Sequence, residues 1–218
     1  MLRFRPLDPE RNVERTHGAL PHWSQEGAVH FVTFRLHDSI PAAALERWHR
    51  ERAEWLAVRG EAPDRDGWFE RLSPDHRREY SRRFGRAVED EMDRGMGSCV
   101  LRQPEHARIV ADALEHFHGE RYVLGDYVIM PNHVHLLVMP GAEQRIGAIL
   151  QSWKSFTARA INERAGRRGA LWQRESFDHI VRNRRQLDRL AGYIAENPIK
   201  AKLPAGEYLH RPVEWEPM

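Results

Sequence analysis

Two histidines stand two residues apart in the stretch Arg121 to Pro140, RYVLGDYVIMPNHVHLLVMP. The stretch is two apolar, β-rich runs joined by Met130-Pro131-Asn132. Side chains alternate along a strand, so His133, His135, Leu137 and Met139 share one face and Val134, Leu136 and Val138 the other. Two neutral imidazoles side by side on a strand are a pair of nitrogen ligands for one metal ion. The plainer account is a core strand with two incidental histidines among the 13 in the chain. Against it, ring nitrogens inside an apolar strand need partners, and leaving them idle is costly.

A second pair lies sixty residues on, in GYIAENPIKAKL. Tyr193 falls off the apolar stripe of a helix built on Leu187, Leu190, Ala191 and Ile194. Asn197 is four residues further, on the same face one turn away. A phenol has a pKa of about 10 and needs activation to act as a nucleophile at neutral pH. Taken alone, Tyr193 reads as a surface or half-buried tyrosine and Asn197 as a helix-ending residue.

The elements that must position these groups follow from periodicity. Ala28 to Leu36, AVHFVTFRL, is rich in β-branched and aromatic residues and predicts a strand. A helix is expected from about Pro41 to Val58 and a second, highly charged one from about Ser73 to Arg94, separated by the turn-rich Gly60 to Gly67. Pro104 to His118 carries Ala107, Val110, Leu114 and Phe117 at helical spacing. Strands Tyr122 to Ile129 and His133 to Met139 form a tight antiparallel pair. A long helix runs from Glu143 to about Ala165, a short strand from Phe177 to Val181, and a last helix from Gln186 to Asn197. Pro198 is expected to end it, because a residue before proline avoids the helical region. Residues 41 to about 98 read as a helical insertion, and residues 1 to 27 as an irregular arm in which Arg15, His17, His22 and Trp23 suit nucleic acid. Without the insertion the order is β-α-β-β-α-β-α. That predicts an α+β, ferredoxin-like antiparallel sheet in one domain spanning 1–218, with an extra C-terminal helix.

Composition narrows the partners. The chain has 218 residues and a single cysteine, Cys99, which excludes an internal disulfide and suits a reducing cytoplasm. No apolar run approaches the ~18 residues of a membrane span. The net charge is +2, but Arg145 to Arg185 holds ten Lys and Arg against three acids, so that segment is +7 and the remainder −5. A basic segment directly after the histidine strand suits an anionic substrate, or is simply a solvated helix face.

The motifs MPNHVHLL, SWKSFTA, WQRESFDHIVRN and YIAENPIKAKL, in that order, resemble the REP-associated tyrosine transposases. These are single-tyrosine HUH transposases, in which two histidines flank one hydrophobic residue, here His133-Val134-His135. The resemblance runs from about Ala28 to Leu203 and does not need the insertion. It implies that His133 and His135 hold a divalent metal, Mg²⁺ or Mn²⁺, and that Tyr193 is the nucleophile. Asn197 falls where the family supplies a third metal ligand, and an amide oxygen suits a hard cation. The implied reaction cleaves and rejoins single-stranded DNA at hairpin or palindromic repeats through a covalent 5′-phosphotyrosine, by a monomer or homodimer in the cytoplasm. Lys154, Arg159 and Arg182 are the candidate DNA phosphate contacts, with Trp153, Phe156 and Trp172 available for stacking. His179 reads as a satisfied surface histidine beside the site.

Two other functions fit parts of the pattern. A non-catalytic protein that binds repeat hairpins needs the basic segment alone. A metal hydrolase would use His133 and His135 with an acid such as Asp178 or Glu175, and leaves the tyrosine helix without a role.

Overall fold

The computed structural model describes residues 2–8, 10, 14–17, 21–65, 67–85, 91–92 and 94–216, without the side chains of 14–17 and 21–24. A hairpin of β1 (Glu14–His17) and β2 (Pro21–Ser24) precedes the main sheet. The sheet is built from β3 (His30–Arg35), β4 (Tyr122–Ile129), β5 (His133–Pro140), β6 (Phe177–Ile180) and β7 (Leu209–Arg211). Its strand order is β6-β3-β5-β4-β7, antiparallel throughout. Helices α4 (Pro104–Glu115) and α5 (Ile146–Arg164) make the crossovers. With β7 set aside, the connectivity and the order β6-β3-β5-β4 are the ferredoxin-like arrangement expected from the pattern.

Each sheet face has its own core. Val32, Phe34, Val134, Leu136 and Val138 meet Val110 and Leu114 of α4 and Ile149, Leu150 and Trp153 of α5. On the opposite face Val29, Phe31, Val128 and Leu137 pack under Leu187, Leu190 and Ile194 of α6 (Arg184–Lys200). Each such fully buried side chain contributes about 1.5–3 kcal/mol. The two indole nitrogens inside the first core are paired. Trp153 Nε1 donates to Tyr122 OH at 2.9 Å, and Trp172 Nε1 to Thr157 Oγ1 at 2.8 Å.

Helix α6 departs from the expected boundaries. It starts at Arg184 because Asn183 caps it, its side chain accepting from Gln186 N at 2.9 Å. It continues through Pro198 to Lys200 instead of stopping at Asn197. A proline in the last turn removes one N–H, toward the Ile194 carbonyl. Asn197 and Pro198 are both buried against the sheet. The carbonyls of Asn197 and Pro198 still accept from Ala201 N and Leu203 N, each at 3.0 Å. Packing therefore outweighs the local preference of a pre-proline residue.

The insertion also differs from two long helices. Helix α1 (Ala42–Ala57) is as expected, but α2 (Trp68–Arg71) and α3 (Pro74–Tyr80) are short, and Ser81–Gly85 is a π-helical turn. Residues 86–90 and 93, the rest of the expected second helix, lie outside the described residues. Extended Leu72 separates α2 from α3, and Ser73 caps α3 by accepting from His76 N at 3.2 Å. Trp55, Leu56, Trp68, Leu72, Tyr80 and Phe84 form a third, separate core. Arg52, 3% exposed, lies 5.2 Å from the Trp68 ring and 5.9 Å from the Tyr80 ring. A desolvated guanidinium over aromatic faces keeps favourable contacts that an alkyl chain would not.

The arm, expected to be irregular, contains the β1–β2 hairpin. The side chains of Arg15, His17, His22 and Trp23 lie outside the described residues. Strand β7 was also not expected, since three residues are too few to show alternation. It is anchored where β4 bulges between Leu124 and Tyr127. There Trp215 Nε1 donates to Asp126 Oδ2 at 2.7 Å, and its ring covers Gly125. A Cβ on Gly125 would sit 2.6 Å from Trp215 Cζ2 and 3.0 Å from Leu137 Cβ. Gly125→Ala should therefore lift the C-terminal strap and cost about 1–3 kcal/mol, as overpacking of a closed site does. Urea denaturation followed by circular dichroism measures it.

Candidate metal and nucleophile site

The face of the sheet under α6 carries the candidate residues. Register sets His135 opposite Thr33, His133 opposite Arg35, and Leu137 opposite Phe31 on the next strand. Alternation then aligns Phe31, Thr33, Arg35, His133 and His135 on that face, with Phe177 and His179 of β6 beside them. Helix α6 crosses above and delivers Tyr193 and Asn197.

His133 and His135 are 0% and 1% exposed, their ring centroids 4.6 Å apart. Thr33 Oγ1 lies 2.7 Å from His135 Nδ1, and Asn132 Oδ1 lies 2.7 Å from His133 Nδ1. The two Nε2 atoms are thus the ones left for the site. His135 Nε2 is 3.4 Å from Tyr193 OH, and His133 Nε2 is buried with no hydrogen-bond partner among the described residues. Burial pushes His133 down to about 3, opposed by the nearby Asn197 amide. Burial, and then the neighbouring His133, hold His135 well below its ordinary range. Both rings are neutral at pH 7, the form a metal needs.

Asn197 is 0% exposed, and neither its Oδ1 nor its Nδ2 has a hydrogen bond of ordinary geometry. A buried amide with both ends idle is rare because its desolvation is costly. Its proximity to His133, also idle at Nε2, makes a cluster of lone pairs rather than a closed hydrogen-bond network. Two imidazole nitrogens and one amide oxygen fit a divalent cation that completes its shell with phosphate oxygens or water. Among the described residues no group of three His, Cys, Asp or Glu is placed to hold a metal ion. A donor set of two histidines plus an amide falls outside such a group.

Tyr193 is half-buried, its ring 5.1 Å from His135 and 6.0 Å from Phe31, both edge-on. It borders the apolar stripe, where the sequence set it off that stripe. Lys200 Nζ lies 5.2 Å from its ring centroid.

The basic candidates diverge. Lys154 Nζ donates to Arg174 O at 2.8 Å and Ser176 Oγ at 3.1 Å, which ties α5 to the segment before β6. Its burial lowers it to about 8. Arg159 and Arg182 are exposed. Of the aromatic candidates, Trp153 and Trp172 are buried in the core, whereas Phe156 is 49% exposed. His179 is not a surface histidine: its ring lies 5.4 Å from Phe31, Gln186 Nε2 is 3.2 Å from its Nε2, and burial lowers it to about 4. Asp178 pairs with Val32 and so faces the opposite side of the sheet from His133 and His135. The sequence reading missed Thr33, Arg35 and Asn132. The alternation of β3 carried a signal for the first two, and the position of Asn132 next to the histidine strand a signal for the third.

Residues 103–197 match the family model described as transposase IS200 like. This segment, which holds both histidines, Tyr193 and Asn197, is similar to that family, as are the motifs. A solved structure described as the REP-associated tyrosine transposase bound to a REP hairpin is similar at 14% identity and a TM-score of 0.40, over 82% of this chain and 71% of that one. No curated protein matches the chain at a significant level.

The histidine environments set a pH dependence. His30, His133, His135 and His179 are all lowered, chiefly by burial. Below about pH 6.5 the unfolded chain binds protons that the native rings refuse, so stability falls as pH drops toward the native values. Each such group contributes a slope of up to about 1.4 kcal/mol per pH unit. The urea midpoint of metal-free protein should decline steadily as pH falls from 6.5 to 4.5.

Proposed function

We propose, from the IS200-like transposase segment over residues 103–197, that this protein cuts and rejoins single-stranded DNA with Tyr193 as nucleophile. The observation that carries the reading is the Tyr193 hydroxyl 3.4 Å from His135 Nε2, on a helix that also buries Asn197 beside His133. No spacing rule requires a tyrosine 58 residues downstream to meet that strand.

His133 and His135 through Nε2, and Asn197 through its amide oxygen, would hold Mg²⁺ or Mn²⁺. Bound there, the ion would withdraw charge from a non-bridging phosphate oxygen and orient the phosphorus. The chain's own groups do the rest. Thr33 and Asn132 brace the outer ring nitrogens, so the lone pairs converge without rotamer searching. Phe31 and His135 hold the phenol edge-on and limit its swing. The tyrosine oxygen attacks phosphorus and its proton passes to solvent. The P–O3′ bond breaks, the 3′ oxygen leaves as a hydroxyl, and the 5′ phosphate stays on Tyr193. Attack by a 3′ hydroxyl reverses the step and joins strands without ATP.

Arg159 and Arg182 track the DNA backbone, Lys154 does so only through the donor it has left, and exposed Phe156 and Phe177 offer ring faces for unpaired bases. A substrate of single-stranded DNA flanking a hairpin or palindromic repeat is the one the sequence resemblance implies. The cytoplasm gives access to it, and no described helix is long and apolar enough to cross a membrane. The hydrolase alternative loses Asp178, which faces away from the histidines.

Incubation with a hairpin-tailed single-stranded oligonucleotide and Mn²⁺ should give an adduct that survives SDS. Tyr193→Phe should abolish the adduct and leave gel-shift affinity within a few-fold. An equal adduct yield from the variant would remove Tyr193 as nucleophile. DNA binding with no adduct from the wild type would favour the non-catalytic reading. Asn197→Ala should weaken Mn²⁺ binding about 10-fold or more, read by calorimetry, with the fold retained by circular dichroism.

A further inference from the structure

The turn between β4 and β5 holds Asn132, 1% exposed. Its Nδ2 lies 3.1 Å from Met92 O and 3.2 Å from Met96 O. Two carbonyls accept from that end, so it is the amide nitrogen, and Oδ1 faces His133 Nδ1 at 2.7 Å. An amide oxygen only accepts. Nδ1 of His133 therefore carries the ring hydrogen, and in the neutral ring Nε2 presents a bare lone pair. Among the described residues that Nε2 has no hydrogen bond of ordinary geometry, and the Asn197 amide lies near it.

Met92 and Met96 belong to the last part of the helical insertion, which is itself clamped to the turn. Leu101 N donates to Pro131 O at 3.2 Å, and Leu36 N, just before the insertion, to Asn132 O at 2.8 Å. Ser98 N donates to Asp38 Oδ2 at 2.9 Å, drawing the two ends of the insertion together. Gly97, at φ +90°, passes so close to Asp38 that a Cβ would lie 2.4 Å from its carbonyl oxygen. Only a glycine allows that approach without displacing the strand end.

We infer that Asn132 is a positioning residue, held by the Met92 and Met96 carbonyls of the insertion, that locks His133 in the Nδ1–H tautomer and aims its Nε2 lone pair into the site. The insertion thereby gains a role: its last turn sets the chemical form of His133 through Asn132. The use of the lone pair for a metal rests on the proposed function; the tautomer does not.

Nitrogen-15 NMR of the histidine rings in metal-free protein tests the lock directly. Wild-type His133 should appear as a single Nδ1–H species. Asn132→Ala should give a mixture of tautomers and weaken Mn²⁺ binding about 10–100-fold by calorimetry. Asn132→Asp keeps an acceptor opposite Nδ1 but loses the donor to the Met92 and Met96 carbonyls; it should show more of the Nδ1–H form than Asn132→Ala, which a merely structural role would not. Gly97→Ala, whose Cβ would collide with the Asp38 backbone and force apart the two ends of the insertion, should broaden or split the His133 signals with circular dichroism unchanged. Wild-type His133 protonated on Nε2 overturns the assignment outright, whether or not any variant folds. An unmoved His133 signal in Gly97→Ala removes the insertion from it. The Nδ1–H form in protein that binds no Mn²⁺ would sustain the lock and sink the metal reading.

Discussion

The register between β3 and β5 is the constraint on which the rest depends. It pairs Thr33 with His135 and Arg35 with His133, and so puts both imidazoles on the face that α6 covers. A slip of one residue would turn the histidines into the core beneath α4 and α5 and send Val134 and Leu136 to the face under α6. The apolar cores on the two faces, each filled by alternate residues of the same strands, hold that register. The site is thus specified by hydrophobic packing before any polar contact forms.

Helix α6 does two things at once. Leu187, Leu190 and Ile194 seal the second core, and the same turns bring Tyr193 to His135 and Asn197 to His133. Sealing removes water, which keeps the rings neutral, and delivery supplies the phenol and the amide. The cost of leaving His133 Nε2 and the Asn197 amide unpartnered is carried by the packing around them. Strain of this kind gathers at functional positions because only there does it answer a ligand.

The insertion is not a detached ornament. It has its own aromatic core around Arg52, yet its two ends converge at Asp38 and Ser98 and grip the turn before β5. Its aromatic core is separate from the two cores of the sheet.

The sequence by itself determined what rests on short-range periodicity. The alternation in HVHLLVM, the stripes of α4, α5 and α6, and the β-α-β-β-α-β order were all legible there. So was the shared face of Tyr193 and Asn197, which lie one turn apart. What needed tertiary structure were the choices that local preference opposes or does not address. Packing against the sheet carried α6 through Pro198, a docking Trp215 fixed β7 to the β4 bulge, and Asp178 was sent to the far face by its pairing with Val32. The partners of Asn132 lie 36 and 40 residues away, and the distance from Tyr193 to His135 spans 58. Periodicity reports which side of an element is apolar; only the closed fold decides which element that side meets.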